Sequence, residues 1–325
     1  MTAPEGPRGR IGLVASMAEL IETSLAETPR VADAVRQAAL TDRFLTPARA
    51  ALTDFFRELR GELDAVLRAE ASTFAAKPYP LGQCLRITEA VRTGLESVRA
   101  DGLSASAAEG HAALRRFLEA GGAMRRAWGD LRGQYFQNAL VVGALYVDVS
   151  NDTVVADKPP VEILPFAEAG FRPIADYQHF TKIAERYWGY RFAPNHLVPE
   201  LAPYLPLIQI SPAGRVSLGP SYGYMLGLTL AADFRPSEQV LAAAPVAPAF
   251  HAALAAALAD GPMAVAAGPD EGRTAALGWC RTYRAEGRTG CAATYNRARL
   301  AGQAANHRLA RLKVLSVAGA RPAAA

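Results

Sequence analysis

The chain has 325 residues, half of them hydrophobic and 20% charged, with 35 basic and 31 acidic side chains and a formal net charge of +4. That apolar content at this length supports a packed core and excludes wholesale disorder. Three well-separated cysteines, Cys84, Cys280 and Cys291, argue against a disulfide scaffold and for a reducing compartment.

The first ten residues carry arginines but no apolar stretch, so no signal peptide is expected. Helical spacing of Leu13, Met17, Leu20 and Ile21, then of Phe55, Phe56, Leu59, Leu63, Val66 and Leu67, predicts helices over residues 11 to about 75. Thr46 and Pro47 read as the N-cap and first residue of the second of these helices. Lys77 to Gly82 holds two prolines and a glycine, which predicts a stiff turn. A helix should begin at Gln83 or Cys84 and run through Leu95, and another should occupy His111 to Met124. Ala139–Val142, Gly143–Ala144 and Leu145–Val149 read as strand, turn and strand, with Val161–Leu164 a third strand.

Residues 174–192 predict a helix with Tyr177, Phe180, Ile183, Ala184 and Tyr187 on one stripe. Leu207–Ile210 and Arg215–Leu218 predict a second hairpin. Helices are expected over 237–259 and 273–314, with a frayed tail from Ala318. The window Val240–Ala259 is alanine-rich and interrupted by Pro245, Pro248 and His251, so it reads as a packed or surface helix and not a membrane span. The expected class is α+β: a helical N-terminal layer (1–76), a mixed core with antiparallel hairpins (77–236), a basic helical C-terminus (237–317) and a tail (318–325). One interlocked domain is favoured, and a cytoplasmic location is expected.

Charge is uneven. From Arg273 onward there are ten basic residues and one acid, Glu286, leaving the rest of the chain at −5. Arg281, Arg284 and Arg288 share one helix face, which suits an acidic protein partner or the chain's own acidic body. Trp279, Tyr283 and Tyr295 lie among them, but no nucleic-acid-binding module is matched. Only four of the 35 basic residues are lysine, a compositional bias and not a nucleic-acid signal, so nucleic acid is not expected as a partner.

Gly82-Gln83-Cys84 places a thiol just after a turn, at a predicted helix start, where the macrodipole and free amides favour the thiolate. The competing reading is a cysteine packed as a small hydrophobe. Fifty-three residues on comes Gln137-Asn138, opening the hairpin that leads to Asp148 and Asp152. Over roughly residues 80–155 this resembles the transglutaminase-like branch of papain-type thiol enzymes, in which a helix-start cysteine is followed by a strand opening with the catalytic histidine and a second strand leading to an aspartate. The resemblance implies acyl transfer or amide and ester hydrolysis on a small-molecule or peptide substrate. It would make Cys84 the nucleophile and Asp152, or Asp148, the orienting acid. The histidine's place reads Gln137 or Asn138, and neither side chain can accept a proton. The resemblance therefore implies an inactive relative, a base drawn from elsewhere (His111 or His179), or a merely polar role for Gln137.

Four further groups of residues carry chemistry worth reading. Asp148, Asn151, Asp152, Asp157 and Glu162 could offer oxygen ligands to a hard cation, or simply satisfy their own turn backbone. His179, Glu185 and His196 could form a metal-dependent site, although their spacing fits no strong signature. The aromatic residues beside them, Tyr187, Trp188, Tyr190 and Phe192, could line a ligand pocket in a binding or adaptor protein. The glycines of Gly219–Gly227 match neither a phosphate loop nor a dinucleotide fingerprint, and Ser221 lacks a nucleophile-elbow context, so no cofactor is expected.

Overall fold

Helix α1 (Met17–Leu25) starts where the Ser16 hydroxyl accepts the Glu19 N–H, one of the donors a helix end leaves free. In the computed structural model, which describes residues 13–71, 77–220, 222–261 and 263–312, this helix belongs with the C-terminal part of the chain. The described residues form eleven α-helices and two antiparallel sheets, an α+β protein. They divide into two units, Glu27–Ile174 and the segment through Ala26 joined to Ala175 onward.

The unit Glu27–Ile174 carries α2 (Ala34–Phe44), α3 (Arg49–Ala71), α4 (Cys84–Gly94) and α5 (Ala105–Glu119), followed by strands β1 (Met124–Leu131), β2 (Tyr135–Val142), β3 (Leu145–Asp148), β4 (Glu162–Pro165) and β5 (Phe171–Arg172). The sheet order is β4-β3-β2-β1-β5, every pairing antiparallel. Leu140, Val142, Leu145 and Val147 pack against Phe55, Phe56, Ile87, Val91, Leu114 and Phe117 in one core. The helices therefore cover one face of the sheet. Gly110 lets α5 cross α3 closely, since a Cβ there would lie 2.2 Å from the Ala51 carbonyl oxygen. The turn at Gly143, with φ of 58°, pairs Val142 with Leu145 and so sets which β2 side chains face the helices.

The other unit contains α1, then α6 (Tyr177–Trp188), β6 (Arg191–Pro194), β7 (Leu207–Ile210), β8 (Val216–Gly219), α7 (Gly223–Ala231), α8 (Arg235–Leu241), α9 (Pro248–Leu258), α10 (Pro269–Ala285) and α11 (Ala292–Leu309). Its sheet runs β6-β7-β8. Two asparagines on α11 each bind a backbone segment through both amide atoms, as a neighbouring strand would. Asn306 accepts from Leu218 N–H at 2.6 Å and donates to Leu218 C=O at 3.0 Å, and Asn296 does the same with Val14 at 3.0 and 2.8 Å. Asn296 thus ties the N-terminal segment to the last helix.

Several elements depart from the sequence expectation. Strand β1 begins at Met124, where the α5 helix was expected to end, and β5 and β6 carried too little alternation to be read. Thr46–Pro47 lies two residues ahead of α3, in a turn in which Arg49 N–H bonds the Thr46 carbonyl. The region 219–227, expected as a connection, contains the start of α7, and Ser221 lies outside the described residues, as do residues 1–12, 72–76 and the tail from 313. The expected boundaries at 76/77 and 236/237 fall inside the two units, whose own limits are at 26/27 and 174/175. The physical reason is packing: α3 buries its apolar stripe on α5 and the first sheet. Likewise β7 and β8 bury theirs with α8 to α11. Among the described residues no helix is long and apolar enough to cross a membrane.

Candidate functional site

Cys84 is the first residue of α4, and the turn before it is tightly tied. Gly82, at φ of 75°, donates its N–H to the Thr153 carbonyl at 2.8 Å. Beneath the turn lies Arg60 of α3, only 1% exposed, which donates to the Val149 carbonyl at 2.6 Å, to Asp64 at 2.5 Å and to both Asp152 oxygens at 3.2 and 3.1 Å. Tyr79 donates its hydroxyl to the same Asp64 at 2.6 Å. Burial opposes the Arg60 charge, but Asp152 and Asp64 outweigh it and raise its pKa. Arg60 therefore fastens the turn before α4 to the loop after β3.

The strand side chain that reaches Cys84 is Asn138. Its Nδ2 lies 3.5 Å from the Cys84 Sγ, and its Oδ1 accepts from Arg126 Nη1 at 2.8 Å. Arg126 in turn pairs with Glu27 and with Glu89 of α4. The α4 side chain of Thr88 donates to the Asn138 carbonyl at 3.1 Å, so helix and strand are joined through both main chain and side chain. Burial pushes the Cys84 thiol up, against the smaller opposing effect of the Asn138 and Leu85 donors. The group is a desolvated thiol with an amide beside it.

Gln137 points to the opposite sheet face, because successive strand residues alternate. There it donates to Asp148 at 2.7 Å, alongside Tyr146, whose hydroxyl donates to the same oxygen at 2.8 Å, and Ser150, whose backbone N–H donates to the other oxygen at 2.8 Å. Burial raises the pKa of the Asp148 carboxyl even against these donors. Of the three residues singled out in the sequence, Cys84 is thus met by neither Gln137 nor Asp152. Gln137 serves Asp148 and Asp152 serves Arg60. His111 stacks on Phe55 with ring centroids 5.0 Å apart, and burial lowers its pKa.

The remaining expectations resolve as packing. Asp148, Asn151, Asp152 and Glu162 do not gather around a cation: Asn151 donates to Pro159 C=O and Glu162 pairs with Arg132. His179, Glu185 and His196 do not converge either. His179 Nδ1 accepts from Ala175 N–H and His196 bonds Leu241 C=O, and among the described residues no group of His, Cys, Asp and Glu could hold a metal ion. The aromatic stretch stacks on itself, with Trp188 over Tyr222 at 5.5 Å and Tyr190 over Phe192 at 6.1 Å. Arg281 and Arg284 both pair with Glu238, and Arg288 pairs with Glu286, so the basic face is met largely by acids of its own unit. Burial works against the Glu238 charge, yet the two arginines hold its carboxyl below the usual range.

Cys291 was passed over in the sequence and is chemically the most distinctive thiol. It is the N-cap of α11, accepts a hydrogen bond from Thr294 Oγ1 at 3.2 Å, and lies beside Arg288. The Thr294 hydroxyl and amide, followed by Arg288, lower its pKa to about 7. The Cys-x-x-Thr spacing at a helix start was the available signal. A groove of about 420 Å³ lies between α3 and the loop after α4, lined by Leu59, Leu63, Val98 and Leu103 with Glu62, Arg99 and Asp101, and includes none of Cys84, Asn138 or Asp148. Comparison of the chain with protein-family models, curated proteins and solved structures finds no match.

Proposed function

We propose that residues 80–155 form a non-catalytic counterpart of the transglutaminase-like thiol-enzyme layout, and that the protein works by binding and not by turnover. The observation that carries this reading is Asn138. It occupies the hydrogen-bonding position beside a helix-start cysteine where a thiol enzyme needs a base, and a carboxamide cannot take the proton of the thiol. Burial of Cys84 supports the same reading, since it favours the neutral thiol, while Arg126 on the Asn138 oxygen holds the amide with its N–H, and no proton acceptor, toward the sulfur. The bound species would be the small-molecule or peptide class that the resemblance implies. Tyr187, Tyr190, Phe192 and Tyr222 pack against neighbouring rings yet stay partly exposed, and so offer this protein apolar contact area for such a ligand.

The test is iodoacetamide alkylation of Cys84 followed against pH by peptide mass spectrometry, paired with burst assays on activated amide and ester substrates. The expected result is slow labelling with a midpoint above the free-thiol value of about 8.5, and no turnover that Cys84→Ala abolishes. A Cys84-dependent burst would overturn the non-catalytic reading and reinstate a thiol enzyme with a base other than Asn138.

A further inference from the structure

In the C-terminal unit, two histidines are almost fully enclosed, His196 at 0% and His251 at 2% exposure. His196 follows β6, and its Nε2 lies 2.9 Å from the Leu241 carbonyl at the end of α8. A carbonyl oxygen only accepts, so Nε2 carries the hydrogen and Nδ1 holds a bare lone pair. Nδ1 has no hydrogen-bond partner, nor has Nε2 of His251. The next carbonyl, Ala242, accepts from Arg273 Nη2 at 2.6 Å. Both contacts close the C-terminal end of α8, whose last carbonyls lack helical partners. The N-terminus of α10 is pressed onto the same place: a Cβ on Gly272 would fall 1.8 Å from the His196 carbonyl oxygen.

The charges around His196 are unequal. Arg273 of α10 and His251 of α9 oppose a proton on its ring, and Asp270 of α10 favours one. The Leu241–Ala242 segment that it touches contributes carbonyls and no titratable side chain. A proton added at Nδ1 would therefore create an N–H without an acceptor and a second cation beside Arg273, in a place closed to water. Burying an unpaired charge is among the costlier things a fold can do.

We infer that His196, with His251 and Arg273 beside it, forms an acid-sensitive latch that holds the end of α8 against α10 at neutral pH and releases it on mild acidification. Burial depresses the folded-state pKa of His196 below the ordinary value of 6.5. The unfolded or opened state thus takes up the proton first. The stabilisation is complete above about pH 6.5 and is lost as pH falls from there through the lower folded-state value.

The experiment is hydrogen exchange of the full-length protein from pH 7.5 to 5.0, corrected for intrinsic rates and read over residues 194–200, 240–244 and 266–274. The wild type should lose protection there about tenfold for each pH unit below the unfolded-state value, given one proton taken up on opening. His196→Gln, which keeps a neutral donor for the Leu241 carbonyl, should show an almost flat profile. Equal pH dependence in wild type and His196→Gln would overturn the latch, as would wild-type protection that is constant down to pH 5.0. Should His196→Gln not fold, NMR titration of the wild-type imidazoles decides the matter: a His196 midpoint at or above 6.5 overturns the proposal, and one well below it supports it.

Discussion

The side chains of Asn138 and Cys84 meet at 3.5 Å across the helix–sheet interface, while the far end of the same amide is held by Arg126 at 2.8 Å. An amide whose oxygen is engaged by a guanidinium is fixed in orientation and presents its N–H to sulfur. It therefore solvates the thiol but cannot deprotonate it. Replacing it with an imidazole is the smallest change that would restore a base. Asn138→His should accelerate Cys84 alkylation at pH 7, about tenfold for each unit by which the thiol pKa falls. Unchanged labelling kinetics would show that burial, and not the missing base, holds Cys84 inert.

The three cysteines should separate cleanly in reactivity. Cys291 has its pKa lowered to about 7 by Thr294 and Arg288, burial pushes Cys84 up, and Cys280, in the core, is pushed up to about 12. Peptide-resolved alkylation at pH 7.5 should label Cys291 first, Cys84 far more slowly, and Cys280 only after denaturation. Thiolate reactivity at Cys291 should rise with pH about a midpoint near 7, and Thr294→Val should move that midpoint upward. Labelling of Cys84 ahead of Cys291 would contradict the assignment.

Arg60 tests what fastens the turn before α4. It is 1% exposed and ion-paired to Asp64 and Asp152, so truncation leaves two carboxylates facing a void. Arg60→Ala should cost about 3–5 kcal/mol in urea unfolding at neutral pH, the range for breaking a buried pair by removing one partner. Pairing Arg60→Met with Asp64→Asn and Asp152→Asn should recover part of that loss, because no ionised carboxylate then remains unpaired. Failure of the combined variant to exceed Arg60→Ala would show that the stem packing matters more than the charge.

Glycine substitutions distinguish close packing from mere helix content. Gly110→Ala drives a methyl to within 2.2 Å of the Ala51 carbonyl oxygen, so α5 must move away from α3 at a cost of about 1–3 kcal/mol or more. Gly278→Ala in α10 meets nothing within 4 Å and should stabilise by about 0.5–1 kcal/mol through helix propensity. Thermal denaturation of both variants measures the contrast. A neutral Gly110→Ala would mean that the helix crossing is looser than the backbone contact implies.

Local chemistry was readable from the chain alone. The turn residues of 77–82 put a helix start at Cys84, the Gly143–Ala144 turn between two β-rich runs marked the hairpin, and 3.6-residue spacing marked α3 and α6, whereas the helices expected over 237–259 and 273–314 are each broken in two, into α8 and α9 and into α10 and α11. These features depend on neighbours a few residues apart, which is why they survive without tertiary information. The short strands β5 and β6 and the start of β1 did not, because two to four residues of extended backbone carry almost no periodic signal.

What only the tertiary structure decided was pairing. In the sequence, Gln137 and Asn138 are adjacent carboxamides with equal claim to Cys84. The pairing of Val142 with Leu145 turns Asn138 to the helices and Gln137 to Asp148, and a slip of one residue would exchange them. Asp152, by sequence the orienting acid of a catalytic group, is claimed instead by Arg60, 92 residues earlier in the chain. The same holds for Arg281 and Arg284, whose free-looking charges are met by Glu238, and for Val14, clamped by Asn296 from 282 residues away. Composition and periodicity report what each residue can do; burial and long-range hydrogen bonding decide which partner it does it with.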